Sequence, residues 1–232
     1  MKVLSVVCAR AGSKGVKNKC IRKIGKKMVI EYAIEYSLSL GENVRTVVST
    51  DITSVIDFCE QRNIEFIERE SKFCADESRI DAALADAIEK KGREYDYCSL
   101  VYGNIPTRYI DMFYQSLNYL EMHMNYDMAI SMQNVEKNHP DWMYDFNEEI
   151  LPRKKEVHYR RQMLPQKMQS DGHTFIFRIK KFLDNYKGLS DYNKDYALSV
   201  YGEKIKPVIN DNIIIDIDTR NDFLLAEAIL NN

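Results

Sequence analysis

The sequence contains few histidines and cysteines, and neither residue type recurs at the spacing of a metal site. The four histidines and five cysteines of the 232-residue chain are scattered, and no CxxC pair occurs. This scatter argues against a structural zinc site. An odd number of dispersed cysteines is also unlike a disulfide framework. We therefore expect reduced thiols and a cytoplasmic location.

Long apolar runs and an excess of one charge are also absent. No stretch approaches the roughly 18–20 apolar residues that span a bilayer, and the first residues lack the basic and apolar regions of a signal peptide. With 33 Lys and Arg against 35 Asp and Glu, the formal net charge is −2. We expect no membrane and no nucleic acid as partners, so a site for an anion must be built locally.

Short apolar runs with β character alternate with amphipathic helical stretches over the first half of the chain. Strands are predicted at residues 3–8, 44–49, 64–67 and 97–102. Apolar residues spaced three and four apart predict helices between and after them, one of which begins with a capping box of Ser78 and Asp81. This alternation predicts an α/β fold with a doubly wound, mostly parallel sheet.

The alternation stops in the second half of the chain. Residues 128–132 are predicted to form another strand, but the residues that follow lack sustained helical periodicity. We interpret residues 133–170 as a β-rich arm, inserted into a single domain that covers residues 1–232. Such an arm can cover an active site or pair with a second subunit. Regular structure is predicted to resume with a strand at residues 174–177.

The segment CARAGSKGVKNK, which follows the first predicted strand, concentrates four cations and two glycines. In an open α/β sheet, ligands bind beyond the carboxyl ends of the strands. Glycines let backbone N–H groups approach a phosphate closely, and cations neutralise its charge. The spacing matches neither GxGxxG nor GxxxxGKS/T, and a basic surface loop is the alternative. The candidate phosphate-binding residues are Ala9, Arg10, Gly12, Ser13, Lys14, Gly15, Lys17 and Lys19.

Two acidic residues lie near the end of the sequence, in IIIDIDTRNDF. A strand predicted at residues 213–217 places the carboxylates of Asp216 and Asp218 on one face. Mg²⁺ is typically held by one or two carboxylates together with phosphate oxygens and water, so both residues are candidate metal ligands. A solvated strand end is the alternative. Thr219 and Asp222 predict the capping box of a last helix.

Two further polar stretches contain candidate substrate ligands. YGNIPTR follows the fourth predicted strand, and its arginine, Arg108, can bind a carboxylate or phosphate through two hydrogen bonds. Ordinary turn chemistry is an alternative explanation for Gly, Asn and Pro in this stretch. RRQMLPQKMQSDGHTFIF places cationic and amide groups before a strand, and an exposed basic loop is the alternative there.

Taken in order, these stretches resemble the CMP-acylneuraminate (CMP-nonulosonate) synthetases, a family of cytidylyltransferases that activate sialic-acid-like sugars. ARAGSKGVKNKCIRKIGKK resembles the phosphate loop of the family, and VVSTD and RESKFCADES resemble its second strand and its nucleotide-contacting segment. RQMLPQKMQSDGHTFIF resembles the RQ-x-LP…NGAIYIF stretch, and IDIDTRNDFLLAEAIL resembles the closing DIDT-x-x-D. The similarity covers nearly the whole chain.

The resemblance implies a Rossmann-like nucleotidyltransferase domain with a dimerisation arm, in a homodimer that binds CTP, Mg²⁺ and an acidic sugar. It implies transfer of CMP to a sugar hydroxyl and release of pyrophosphate. Arg69 and Asp76 match its nucleotide-contacting segment, and Arg161 matches an arginine of the arm that is associated with the sugar. We expect the catalytic residues to be Arg10, Lys19 and Asp218.

On the sugar side the sequence departs from the family pattern. Tyr102 stands where the family has a glutamine, Gln169 where it has an arginine, and Asp171 and Phe175 where it has an asparagine and a tyrosine. Trp142 lies where a lysine of the family can contact the sugar, and on the nucleotide side Cys20 replaces an asparagine. The expected substrate contacts are Tyr102, Asn104, Arg108, Arg161, Gln162 and Asp171. The acceptor is therefore open: a legionaminate-like sugar, Kdo and a phosphonate are alternatives, as is a non-catalytic nucleotide-binding homologue.

Overall fold

The computed structural model describes residues 1–12, 15–75, 78–135, 137–147, 149–152, 158–187 and 199–231. Three of the candidate ligands, Ser13, Lys14 and Asp76, lie outside the described residues. The strands are β1 (Val3–Cys8), β2 (Lys23–Ile24), β3 (Lys27–Met28), β4 (Val44–Thr50), β5 (Phe66–Glu68), β6 (Tyr97–Tyr102), β7 (Met128–Asn134), β8 (Tyr144–Asn147), β9 (Glu149–Pro152), β10 (Met168–Arg178) and β11 (Ile205–Ile209). The helices are α1 (Val29–Leu38), α2 (Thr53–Gln61), α3 (Ile80–Lys91), α4 (Ile110–Met122), α5 (Ile179–Lys187) and α6 (Arg220–Leu230). None of the described helices combines the length and apolar character needed to cross a bilayer.

Seven strands form the central sheet, in the order β11-β7-β10-β6-β1-β4-β5. β6, β1, β4 and β5 run parallel to one another, and β11 is parallel to β7. β10 runs antiparallel to both of its neighbours, β6 and β7. The predicted mixed α/β fold with a mostly parallel sheet is therefore confirmed.

Helices cover both faces of this sheet, because successive side chains of its buried strands point in opposite directions. Val3 and Val7 of β1 belong to an apolar cluster with residues of α1, α2 and α4. Leu4 and Val6 belong to a second cluster, with residues of α3 and α5. The sheet is thus doubly wound, and the segments that follow β1 and β6 emerge at the same edge.

The prediction of a strand at residues 213–217 is wrong, since no described strand pairs with this segment. Its backbone binds the loop after β6 instead. The Ile215 N–H donates to Thr107 Oγ1 at 2.9 Å, and the Ile217 N–H donates to the Asn104 carbonyl at 3.1 Å. The sequence pattern of alternating apolar residues is therefore satisfied by a loop contact rather than by a sheet.

One of the two predicted capping boxes is present. Thr219 and Asp222 cap α6, with the Thr219 N–H donating to Asp222 Oδ2 at 2.7 Å. The prediction of a capping box formed by Ser78 and Asp81 is wrong, because both side chains make other contacts. The Ser78 hydroxyl donates to a backbone carbonyl of the preceding turn, and the Asp81 carboxylate is bound by the guanidinium of Arg79, the N-cap residue of α3.

β7 and β10 are longer than predicted, and they pair as far as Asn134 and Met168. A bulge between Ser170 and Phe175, with Gly172 at a φ of +73°, interrupts their register. Residues 133–134 and 168–170 therefore belong to the central sheet. β8 and β9 form a separate two-stranded hairpin between these strands.

Candidate active site

A cleft of about 550 Å³ opens where β1 and β6 end. This is the edge of an open α/β sheet at which ligands bind. The cleft brings together nine of the sequence-predicted residues: Ala9, Arg10, Gly15, Lys19, Arg69, Tyr102, Asn104, Asp216 and Asp218. Gly12 is exposed, has a φ of +82° and does not line the cleft. Lys17 is exposed as well and lies outside the lining.

The loop after β1 lies directly against residues 216–218. Gly15 permits this approach, because a Cβ at its position would lie 2.2 Å from the Asp218 carbonyl oxygen. Asn18, in the left-handed region with a φ of 56°, precedes the 3₁₀ turn Lys19–Ile21, and Lys19 lines the cleft. The cationic loop and the acidic segment predicted from distant parts of the sequence therefore meet.

Asp216 and Asp218 share the cleft although no strand holds them. Ile215 and Ile217, which alternate with them, are buried in an apolar cluster with residues of α6 such as Phe223. Alternate side chains of the segment consequently point to opposite sides. The prediction that both carboxylates face the same way is confirmed, but a loop contact and an apolar anchor position them.

Each of these carboxylates has a polar partner. Lys19 Nζ donates to Asp218 Oδ1 at 2.5 Å, in an ion pair whose side chains are 17% and 67% exposed. The Asn104 amide donates to Asp216 Oδ1. The pKa of Asp216 is raised mainly by partial burial and, to a smaller extent, by repulsion from Asp218, whereas the charge of Lys19 lowers it. The cleft thus holds two carboxylates that repel each other and a lysine that offsets part of this repulsion.

Two arginines line the cleft near these groups. Arg69 is buried, and its Nε donates to Ser49 Oγ at 2.8 Å. Its Nη2 has no hydrogen-bond partner among the described residues. A buried donor without a partner costs free energy, so an oxygen atom of a ligand fits at this position. Arg10 Nη1 donates to the Cys74 carbonyl at 3.1 Å, which ties the loop after β1 to the segment after β5.

Arg108 lines neither this cleft nor any other described cavity at the sheet edge. Its Nε, Nη1 and Nη2 donate to the carbonyl oxygens of Ile105, His173 and Tyr102 at 2.9, 2.6 and 2.5 Å. Burial lowers the pKa of Arg108 to about 10. All three nitrogens of this buried guanidinium donate to backbone carbonyls and none lines a described cavity, so the geometry does not support the predicted bidentate bond from Arg108 to a substrate anion.

A second cavity of about 550 Å³ adjoins the cleft and shares Tyr102, Asp216 and Asp218 with it. Residues at the ends of β7 and β10 line it, among them Gln133, Asn134, Lys137, Gln169, Ser170, Asp171 and Phe175. Four of these residues were not predicted from the sequence: Gln133, Asn134 and Lys137 belong to no motif, and Ser170 lies within RRQMLPQKMQSDGHTFIF but was not singled out there. The extension of β7 past Met132, where the predicted strand ended, is what brings Gln133 and Asn134 to this edge.

Two predicted substrate contacts form the walls of the second cavity. The Tyr102 ring packs edge-on against Phe175, with 5.8 Å between the ring centroids, and burial raises the pKa of Tyr102 to about 12. The Asp171 carboxylate accepts hydrogen bonds from the Ser131 hydroxyl at 2.5 Å and from the Asn210 amide at 2.6 Å. Both oxygens of Asp171 are therefore held by donors of the protein itself, and Tyr102 offers a neutral hydroxyl.

The structure does not bring Arg161 and Gln162 into the cleft. Both are exposed and belong to the 3₁₀ turn Arg161–Met163. Arg161 lines a separate hollow of about 310 Å³, which borders the second cavity at Asn134 and Val135. A contact from Arg161 or Gln162 to a sugar in the same chain is therefore not supported by this geometry.

The chain is similar to known cytidylyltransferases in sequence. A family model described as cytidylyltransferase matches residues 4–196. The CMP-N,N'-diacetyllegionaminic acid synthase of Campylobacter jejuni subsp. jejuni serotype O:2 is 33% identical over 98 residues, which are 42% of this chain and 42% of that protein. The N-acylneuraminate cytidylyltransferase of Streptococcus agalactiae serotype V is 24% identical over 229 residues, or 97% of this chain and 52% of that protein. The chain thus spans about half the length of these relatives.

Solved structures share the fold. CMP:2-keto-3-deoxy-manno-octonic acid synthetase complexed with CTP superposes with a TM-score of 0.75 at 17% identity, over 100% of this chain and 99% of that chain. The 4-diphosphocytidyl-2C-methyl-D-erythritol synthase of Anaerococcus prevotii superposes with a TM-score of 0.71 at 14% identity, with the same coverage of both chains. The resemblance read from the sequence motifs is confirmed at the level of the family and the fold. This chain belongs to the cytidylyltransferase family.

Proposed function

We propose that this protein transfers CMP from CTP to a hydroxyl of an acidic sugar of the nonulosonic acid class and releases pyrophosphate. The observation that carries the proposal is the cleft in which the loop after β1, the Arg69 guanidinium and the two carboxylates of residues 216–218 meet. The names of the two relatives, which concern legionaminic and neuraminic acid derivatives, support the acceptor class. A cytoplasmic location stays a prediction from the cysteine pattern.

The two cavities suggest how the substrates are arranged. The cationic cleft suits the triphosphate of CTP, with Arg10, Lys19 and Arg69 as its ligands. The second cavity, whose lining includes several amides and the hydroxyls of Tyr102 and Ser170, suits a polyhydroxylated acceptor. Because both cavities reach Asp216 and Asp218, the acceptor hydroxyl and the α-phosphorus meet beside these carboxylates. Such a transfer needs little covalent chemistry from the protein, so catalysis consists mainly of positioning and charge stabilisation.

Asp216 and Asp218 fit a magnesium ion that is bound together with the substrate. Their oxygens are hard ligands, and their mutual repulsion, which raises the pKa of Asp216, is relieved by a cation. Among the described residues no group of three or more His, Cys, Asp or Glu side chains forms a complete metal site. Phosphate oxygens and water would therefore complete the coordination. When bound there, Mg²⁺ supplies charge neutralisation at the phosphates and acidifies the acceptor hydroxyl.

Lys19 and Asp218 then have separate roles. Lys19, whose side chain is 17% exposed, binds the phosphate oxygens and stabilises the charge that develops on the departing pyrophosphate. For Asp218, which borders both cavities, we propose that one carboxylate oxygen accepts the proton of the acceptor hydroxyl while the other stays available to the metal ion. A triphosphate in the cleft competes with Asp218 for Lys19, so substrate binding frees the carboxylate for this task.

A homodimer is part of the proposal. Large apolar side chains on the β8–β9 hairpin are exposed, including Phe146 at 79% and Ile150 at 69%. Contiguous exposed apolar residues mark an interaction surface, and a second copy of the chain that covers them could also bring Arg161 to the partner's second cavity. We expect Phe146→Glu to convert the dimer to a monomer in analytical ultracentrifugation. Met122→Glu, at an equally exposed position on α4, is the control, and an unchanged mass for Phe146→Glu contradicts the proposal.

The reaction is tested by pyrophosphate release in the presence of Mg²⁺. CTP, ATP, GTP and UTP are each combined with a panel of nonulosonic acids and with Kdo, since one solved structure of the same fold is an octonic acid synthetase. We expect release from CTP with one nonulosonic acid and its loss in Asp218→Ala. Release with Kdo alone would change the acceptor. Absence of CTP binding in a calorimetric titration would overturn the proposed function.

A further inference from the structure

We propose that Arg108 is a positioning residue, which fixes the carboxylates of Asp216 and Asp218 through the loop of residues 102–108. The inference rests on the proposed function, because it concerns the same reaction. Arg108 lines neither the cleft nor the second cavity. Its influence on the reaction must therefore pass through the residues that it holds.

Arg108 closes the loop on itself and anchors it to the sheet. Two of its nitrogens donate to the carbonyls of Tyr102 and Ile105, so the chain between them is drawn into a tight turn. A third nitrogen donates to the His173 carbonyl in β10. Hydrogen bonds from a charged donor are stronger than neutral ones, and the planar guanidinium offers three directions at once. A lysine ammonium cannot reproduce this geometry.

The loop that Arg108 closes carries the contacts that hold the acidic segment. The Asn104 amide donates to Asp216 Oδ1, and the Asn104 carbonyl accepts from the Ile217 N–H at 3.1 Å. Thr107 Oγ1 accepts from the Ile215 N–H at 2.9 Å. Residues 215–217 thus take their position from the loop and not from a neighbouring strand. A shift of the loop moves both carboxylates.

The far end of the loop is also fixed. The side chain of His173 is 1% exposed, and its Nε2 accepts from the Tyr109 N–H at 2.8 Å. Burial lowers the pKa of His173 to about 3, so the ring is neutral and keeps an acceptor nitrogen. Together with the Arg108 bond to the same residue's carbonyl, this contact joins the loop to β10 at two points. The loop is therefore a rigid template for the aspartates.

Arg108→Lys tests the proposal, with Arg178→Lys as a matched control. Arg178 likewise donates to backbone carbonyls, those of Tyr126 at 2.9 Å and Leu120 at 2.6 Å. Arg178 pairs with Tyr97, the first residue of β6, and therefore lies at the end of that strand that is far from the cleft. A misplacement of about 1 Å at reacting groups can lower the rate about 10²-fold, so we expect a loss of this order in kcat for Arg108→Lys. For Arg178→Lys we expect kcat within about threefold of the wild type.

Binding measurements distinguish positioning from a direct contact or from misfolding. In a calorimetric titration without Mg²⁺, we expect Arg108→Lys to bind CTP with a Kd within about threefold of the wild type, because its nitrogens do not line the cleft. A large rise in that Kd overturns the proposal. An equal kcat for the Arg108 and Arg178 variants also overturns it. Absence of CTP binding by the wild type, in titrations both without and with Mg²⁺, indicates instead that the proposed function has failed, and the role of Arg108 with it.

Thr107→Val provides a second test that does not depend on the folding of the Arg108 variant. The valine keeps the shape of the buried threonine and removes its bond to Ile215. We expect kcat to fall about tenfold with CTP binding unchanged, and a kcat equal to that of the wild type overturns the proposal. In the double variant with Arg108→Lys, the two losses should not add, because both act through one loop. Full additivity contradicts this common route.

Discussion

Replacing Lys19 by alanine separates the contribution of this lysine to stability from its contribution to the proposed reaction. Its ion pair with Asp218 spans 2.5 Å, but Asp218 is 67% exposed. Such a solvent-screened pair contributes about 0–1 kcal/mol to folding. In a chain of 232 residues, this corresponds to a change in melting temperature of about 4 °C at most. A cation placed against charge that develops on a phosphate contributes a factor of about 10²–10³ in kcat.

The assay therefore measures kcat by pyrophosphate release and the melting temperature of the same sample. Lys27→Ala is the matched control, since Lys27 Nζ also lies 2.5 Å from a carboxylate, that of Glu35, and lines neither cavity. We expect similar small shifts in melting temperature for the two variants and a loss of kcat for Lys19→Ala alone. A kcat for Lys19→Ala within about threefold of the wild type would refute the assigned role.

Two further predictions concern backbone packing and pH. In Gly15→Ala the new Cβ would lie 2.2 Å from the Asp218 carbonyl oxygen and must push it away, so we expect kcat/KM for CTP to fall about 10²-fold. Gly12→Ala is the control, because nothing lies within 4 Å of its Cβ and the substitution should cost only about 1–2 kcal/mol of backbone strain. Equal kinetics for the two variants contradict this prediction. The pKa of His173 is lowered to about 3 in the folded chain, so the unfolded chain binds the proton more tightly and stability falls as the pH drops below about 6.5. Between pH 7 and 5 we expect urea unfolding of the wild type to lose about 2 kcal/mol more than His173→Gln, and equal losses would show that His173 titrates normally.

The parts of the fold that the sequence predicts well are those whose burial is complete. β1 and β6 have the predicted bounds, because they lie inside the sheet and their apolar runs end where the chain leaves the core. The strand at residues 213–217 was predicted from the same kind of pattern and is not formed. Its backbone partners, Asn104 and Thr107, are more than a hundred residues away, and a local pattern does not show whether a buried segment pairs with a strand or with a loop.

The candidate site divides in the same way. Lys19 could be placed at the cleft because the loops that follow parallel strands converge at one edge of the sheet. Asp216 and Asp218 reach the same edge through backbone contacts with the loop after β6, and not at the end of the predicted strand. Arg108 was expected to bind substrate, and the reason for the error is physical: an arginine in a turn binds whichever oxygens surround it, and three backbone carbonyls are nearer. Gln133 was missed because a single polar residue at the end of β7 carries no pattern of its own, and Ser170 because nothing within its motif distinguishes it from the neighbouring polar residues.

The departures from the family pattern are concentrated in space, and their position favours a changed acceptor over a loss of turnover. Of the six substituted residues, Tyr102, Gln169, Asp171 and Phe175 line the second cavity. Cys20 lines the cleft but not the second cavity, and Trp142 lines neither. Two of the replacements contact each other, since the rings of Tyr102 and Phe175 pack edge to face with an interplanar angle of 86°. Lys19 and Asp218 meet beside the cleft, while the substituted residues Tyr102 and Phe175 form an aromatic pair in the wall of the neighbouring cavity. This arrangement fits the proposed function with a changed acceptor better than it fits a non-catalytic nucleotide-binding homologue.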